Sequence, residues 1–129
     1  MINTKLTMGA SAICLGISGV ALTFLPKEIS LALSGSASET NTITLQIMGA
    51  LYFSFAMINW TAKSNLIGGI YGRPIAIGNF THFIIGCLAL IKALLKSPDL
   101  VWLWVASPIY LLWTILFTLI IFTHPIPEK

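Results

Sequence analysis

The chain has 129 residues, of which 57% are hydrophobic and only 9% are charged. Soluble domains are about one quarter charged, so this composition excludes a soluble enzyme, a secreted disulfide scaffold and a disordered tail. The 7 basic and 4 acidic residues give a net charge of +3, and cations this few and this dispersed make no nucleic-acid-binding patch.

The charged residues leave four long uncharged segments, of 21, 23, 18 and 28 residues. Each is close to the roughly 20 residues that an α-helix needs to cross a bilayer. Lipid offers no hydrogen-bond partners to the unpaired backbone groups of an open strand. The apolar segments are also continuous, whereas strands of a membrane β-barrel alternate apolar and polar residues. The sequence therefore predicts an all-α fold, a transmembrane four-helix bundle. It forms one domain over residues 1–129, with spans at about 6–25, 43–62, 74–95 and 100–123.

The first span is predicted to stop at Pro26 and to be retained, because its apolar run is longer than that of a signal peptide. Small residues recur on one of its faces and permit close approach of a second helix; they are Gly9, Ala12, Gly16 and Gly19. After Pro26 we expect a brief interfacial helix and then a flexible polar linker from Ser34 to Glu39.

Small and hydrogen-bonding residues share one face of the second span and one face of the third. They are Gly49, Tyr52, Ala56 and Asn59 on the second, and Asn79, His82, Gly86, Ala89 and Ala93 on the third. Polar groups in lipid need a partner or a cavity, so we expect both faces to point into the bundle. Packing alone is the competing interpretation for these residues.

The connection between these spans reads Gly68-Gly69-Ile70-Tyr71-Gly72-Arg73-Pro74. Its glycines permit close backbone approach, and Arg73 is placed to bind a lipid phosphate or an anionic group above His82. The polar residues of both spans are expected near the same, cytoplasmic end of the bundle. The candidate ligand- or partner-binding residues are Tyr52, Asn59, Tyr71, Arg73, Asn79 and His82.

The fourth span contains Pro108, which predicts either a kink or a free carbonyl at Trp104. Two interpretations of this proline are possible from the sequence: a kink that serves packing, or a gate for a lipid-like ligand. Trp102 and Trp104 are expected at the outer interface, where indole rings prefer to lie.

The spans hold few groups that support chemistry. His82 is the one imidazole well inside a span and no carboxylate lies within any span, so neither a zinc or iron site nor an acid–base pair is complete. Cys14 and Cys87 lie inside spans and form no CxxC pair, which argues against thiol redox chemistry. We predict no catalytic residue, no metal and no cofactor.

Orientation follows from the basic residues. Four of them share the side of the two termini and three lie opposite; the first set is Lys5, Lys63, Arg73 and Lys129, and the second is Lys27, Lys92 and Lys96. The positive-inside rule then predicts cytoplasmic N- and C-termini.

The segment from Gly49 to Lys92 resembles an uncharacterised family of bacterial four-span membrane proteins. The resemblance is carried by Gly49-Ala50-Leu51-Tyr52, Asn59-Trp60, Gly68-Gly69-Ile70-Tyr71-Gly72-Arg73-Pro74 and Asn79-Phe80-Thr81-His82-Phe83. In length, in its four helices and in its glycine-containing second helix, the chain also resembles the DoxX-like membrane proteins, which are linked as accessory subunits to redox and sulfur-compound chemistry. Neither resemblance brings a catalytic residue.

The leading hypothesis is a non-enzymatic protein of the bacterial inner membrane. It binds a lipid-like small molecule or a membrane-protein partner at the cytoplasmic end of the second and third spans. One alternative is a membrane enzyme or redox accessory subunit acting on a lipid-soluble substrate such as a quinone. Another is a subunit of an oligomeric channel or transporter. The lipid bilayer is the expected partner, nucleic acid is not, and the oligomeric state is left open.

Overall fold

The computed structural model describes residues 3–64 and 72–123. Within them the chain folds into the helices α1 (Thr4–Phe24), α2 (Pro26–Ser34), α3 (Glu39–Ala62), α4 (Gly72–Lys96) and α5 (Val101–Thr123). Helices α1, α3, α4 and α5 are long and apolar enough to cross a membrane. The all-α class and the four predicted spans are thereby confirmed, and the pattern is that of a multi-pass membrane protein.

A proline separates the first two helices. α1 ends at Phe24, and Pro26 occupies the first turn of α2, where its missing N–H costs no hydrogen bond. Pro74 likewise falls in the first turn of α4, which begins at Gly72. The short helix expected after Pro26 is confirmed as α2, while its place at the membrane interface stays a prediction.

The linker between α2 and α3 is shorter than predicted. Gly35 ends α2 with a positive φ of 68° and donates its N–H to the Leu31 carbonyl at 2.9 Å, a conformation that favours glycine. The Ser38 hydroxyl then accepts the N–H of Asn41 at 3.2 Å and caps α3. This cap allows the helix to start already at Glu39, inside the segment expected to be flexible.

The chain divides into two compact units. One is Met8–Lys63, and the other combines Met1–Thr7 with Ser64–Lys129, of which residues 3–7, 64 and 72–123 are described. The first unit contains most of α1 with α2 and α3, and the second contains α4 and α5. A single domain over the whole chain stays a prediction.

In the first unit, α1 and α3 run antiparallel and approach closely at two glycines. A Cβ added to Gly19 would lie 2.7 Å from the backbone nitrogen of Phe53 and 2.8 Å from the carbonyl oxygen of Gly49. A Cβ added to Gly16 would lie 3.6 Å from the Ala56 Cβ, an ordinary contact distance. The predicted small-residue faces of these two helices are therefore contact faces, and Gly19 and Gly49 permit the closest approach.

In the second unit, α4 and α5 pack through a line of aromatic rings. Phe83 is 1% exposed, and its ring stacks against Phe117 and Trp113 with centroids 5.7 and 5.8 Å apart. Phe117 is also fully buried. Aromatic side chains bury the largest apolar areas, so this cluster fixes which side of α4 faces α5.

The buried face of α4 is rotated about the helix axis by about a quarter turn from the face that was predicted to point inward. The angle follows from the 100° between successive residues of a helix. Its buried residues are Gly72, Ala76, Asn79, Phe83 and Cys87. Of the stripe expected to point inward, Asn79 is buried, His82, Gly86 and Ala93 are half-buried, and Ala89 is exposed. The small and polar residues suggested the inward face, but burial of Phe83 determined it. Leu88 and Leu95, on the opposite side of the helix, are exposed.

Candidate functional site

His82 lies near the middle of a membrane-spanning helix. It is the eleventh residue of the 25-residue α4, which places it about 15 Å from the start of the helix and about 3 Å from its midpoint at 1.5 Å per residue. The sequence interpretation had placed His82 at the cytoplasmic end. In the structure His82 lies almost three turns inside α4, because the helix continues for ten residues on its N-terminal side.

The nearest aromatic neighbour of His82 on α5 is Tyr110. The two ring centroids are 5.8 Å apart with an interplanar angle of 47°. Tyr110 is the tenth residue of the 23-residue α5, so it also lies about 3 Å from the midpoint of its own helix. A histidine and a tyrosine therefore meet at mid-depth on the α4–α5 hairpin.

Gly86 provides the space for the Tyr110 ring. A Cβ added to Gly86 would lie 2.7 Å from Cδ1 of Tyr110, and still closer to its Cε1. A side chain here would force the Tyr110 ring to move, so the α4 backbone at Gly86 helps to position the tyrosine. Phe83 contacts both rings edge-on, with centroids 5.0 Å from His82 and 5.5 Å from Tyr110. His82 and Tyr110 thus pack against the aromatic core of the hairpin.

Arg73 and Asn79 share α4 with His82. Arg73 is the second residue of the helix and is exposed, nine residues or about 13.5 Å along the axis from His82. Asn79 is 0% exposed, and its side-chain amide donates to the Ile75 carbonyl at 2.9 Å. The structure thus separates Arg73 from His82 along the axis and commits one Asn79 donor to its own helix.

Asn59 and Tyr52 lie in the other unit, on α3. Asn59 is 0% exposed and donates to the Ser11 hydroxyl of α1 at 3.0 Å, and that hydroxyl bonds the Met8 carbonyl at 2.9 Å. Such a buried link between two membrane helices stabilises their pairing. Tyr52 is half-buried. Of the candidate residues in this unit, Asn59 has a clear structural role.

Tyr71, the remaining candidate, lies outside the described residues, as does His124. No group of three or more His, Cys, Asp or Glu side chains able to hold a metal occurs within residues 3–64 and 72–123. Cys14 and Cys87 are both free thiols.

Pro108 lies inside α5, which continues past it as a helix. Because proline has no N–H, the carbonyl of Trp104 lacks its ordinary partner four residues on. The preceding residue, Ser107, is 5% exposed, and its hydroxyl has no hydrogen-bond partner within the described part of the chain. The proline of α5 is thus preceded directly by a buried polar side chain.

Sequence reasoning missed Tyr110 and Ser11 as partners of the candidate residues. The sequence pattern assigns no role to either residue. The signal that finds Tyr110 is the antiparallel register: in a tight hairpin the middles of α4 and α5 meet, which brings Gly86 opposite Tyr110. Ser11 falls beside Ala12 on the small-residue face of α1, which the structure places against α3.

Comparison with known proteins adds no relative, because no protein-family model, curated protein or solved structure matches the chain.

Proposed function

We propose that this chain is a non-enzymatic integral membrane protein that binds a lipid-like small molecule at mid-depth of the α4–α5 hairpin. The observation that supports it is the pairing of His82 with Tyr110, with ring centroids 5.8 Å apart near the midpoints of both helices. Ionisable residues inside membrane helices are costly and generally serve a function. Of the six candidate residues the proposal keeps His82, and it adds Tyr110.

The depth of the pair limits the ligand. The hydrocarbon core of a bilayer is about 30 Å thick, so a group near the middle of a spanning helix lies about 15 Å from either headgroup layer. A phospholipid headgroup does not reach His82. A molecule with a mainly apolar body and one or two polar atoms does, because it partitions into the hydrocarbon itself.

The membrane and the orientation are part of the same proposal. The excess of basic residues on the side of the termini, four against three, supports cytoplasmic ends in a bacterial inner membrane. The resemblance to bacterial four-span proteins favours the same location. The enzyme, redox-accessory and channel alternatives stay hypotheses.

Lipid extraction from the purified protein tests this function. The wild type, His82→Ala and His82→Phe are purified from the same membranes, and the co-purified small molecules are measured by mass spectrometry. Cys14→Ala is the matched control, because Cys14 is a half-buried thiol on another membrane helix. We expect one apolar species to be enriched in the wild type and in Cys14→Ala, and to fall about tenfold in both His82 variants, as the loss of about 1.4 kcal/mol predicts.

Two results would contradict the proposal. One is the same set of co-purified molecules in all four proteins. The other is recovery of a protein partner that depends on His82 with no small molecule, which would assign the pair to helix–helix recognition.

A further inference from the structure

Besides His82 and Tyr110, the α4–α5 hairpin contains the polar residue Ser107, which has no part in the function proposed above. Its side chain is 95% buried, given its 5% exposure, and its hydroxyl has no hydrogen-bond partner in residues 3–64 and 72–123. Buried polar groups in proteins are nearly always hydrogen-bonded, and a membrane interior offers no bulk water to replace a missing partner. A buried hydroxyl of this kind needs a partner from outside the described residues.

Several other hydroxyls of the membrane helices behave differently. Thr114 and Thr118 on α5 donate to carbonyls one turn back, at 2.8 and 2.7 Å, and Ser54 on α3 does the same at 2.8 Å. Such bonds to the preceding turn are the usual solution for Ser and Thr in membrane helices. The Ser107 hydroxyl makes no such bond, although its helix has carbonyl groups in the preceding turn.

A hydrogen-bond acceptor lies in the same turn of α5. Pro108 removes the N–H that ordinarily bonds the Trp104 carbonyl, so this oxygen and the Ser107 hydroxyl occur within four residues. Together they offer one donor and two acceptors. A neutral hydroxyl group matches this set, because it donates one hydrogen bond and accepts another.

Ser107 is also close to the proposed site. It lies three residues before Tyr110, so the two side chains are neighbours on the same side of α5, separated by about 4.5 Å along the axis. A ligand that contacts the Tyr110 ring therefore extends to Ser107 within the length of three or four carbon atoms.

We propose that Ser107 is a second, specificity-determining residue of the ligand site, which selects an apolar molecule that carries a neutral hydroxyl group. This inference rests on the function proposed above. A single water molecule at Ser107 offers the same hydrogen-bonding chemistry as a lipid-soluble alcohol, so the test has to distinguish the two sources.

The test uses two photoreactive probes and the full-length protein in nanodiscs. One probe is 1-hexadecanol with a diazirine in the chain, and the other is its methyl ether, which accepts a hydrogen bond but donates none. Capture is quantified for the wild type, Ser107→Ala, Ser107→Thr and Ser54→Ala. Ser54→Ala is the matched control, because it removes a membrane-helix hydroxyl that already has a partner. Transfer of magnetisation from water to the Ser107 side chain, followed by solid-state NMR, detects a bound water.

We expect the wild type to capture the alcohol about fivefold better than the ether, the factor that one hydrogen bond provides. Ser107→Ala should lose this preference with capture of the ether unchanged, while Ser107→Thr and Ser54→Ala keep it. Equal capture of both probes by the wild type, together with a water signal at Ser107, would overturn the selection of a hydroxyl-bearing ligand and assign the partner of Ser107 to water.

Equal capture without a water signal would overturn the role of Ser107 and leave the function proposed for His82 and Tyr110 standing. Capture of neither probe by any variant would overturn both.

Discussion

Replacing Gly86 by alanine tests whether the α4 backbone positions Tyr110. An added Cβ would lie 2.7 Å from Cδ1 of the tyrosine, whereas ordinary contacts of a Cβ begin at 3.4 Å. The ring must therefore move by about 0.7 Å or more to relieve the repulsion. Overpacking of this kind costs about 1–3 kcal/mol, against a gain of about 1 kcal/mol for alanine over glycine in a helix.

The matched control is Gly16→Ala, which makes the same change in α1 where the added Cβ meets its nearest atom at 3.6 Å. Both variants receive the helix-propensity gain, so the difference between them isolates the overpacking term. We expect the free energy of unfolding of Gly86→Ala to be about 1–3 kcal/mol lower than that of Gly16→Ala. The assay is unfolding of the purified protein by SDS in mixed micelles, followed by tryptophan fluorescence.

The same assay on a Tyr110→Ala background completes the test. Without the ring there is nothing for the new Cβ to displace, so Gly86→Ala should then become neutral or stabilising. Equal stability of Gly86→Ala and Gly16→Ala would refute the reasoning, as would a penalty that persists after Tyr110 is removed.

Three further predictions concern the first unit and the orientation of the chain. Gly19→Ala should unfold about 1–3 kcal/mol more easily than Gly16→Ala in SDS, because its Cβ meets the Phe53 backbone nitrogen at 2.7 Å and backbone cannot rotate away; equal values would argue against the close helix approach. Ser11→Ala should cost about 1–3 kcal/mol by removing the acceptor of the buried Asn59 amide, and adding Asn59→Leu should recover part of that loss. Strictly additive effects of the two substitutions would show that this hydrogen bond contributes no coupling energy. A C-terminal green fluorescent protein should fluoresce and a C-terminal alkaline phosphatase should be inactive, whereas an active phosphatase would reverse the assigned topology.

The positions of the membrane helices were predictable because charge and proline mark them directly. The uncharged segments and Pro26 located α1 and α4 to within two residues at every boundary. The start of α3 was missed by four residues because Ser38 caps the helix, and a serine within a serine-rich segment gives no clear signal that it does so. Local residue types thus predict where helices lie better than where they begin.

The rotation of α4 was harder to predict, because two rules compete there. Small and polar residues indicated one inward face, and the large ring of Phe83 indicated another, a quarter turn away. The aromatic residues of α5 decide between them, since Trp113 and Phe117 supply the surface on which Phe83 stacks. A single helix carries no information about its partner, so Tyr110 could not be assigned to His82 before the hairpin was known.

The central claim is that a lipid-soluble molecule binds beside His82 and Tyr110. The measurement that tests it most directly is an experimental density map of the protein purified from its native membrane and held in nanodiscs. The account predicts elongated non-protein density in contact with both rings at mid-depth of the bilayer, with one end reaching Ser107. A map in which protein atoms alone surround both rings would contradict it.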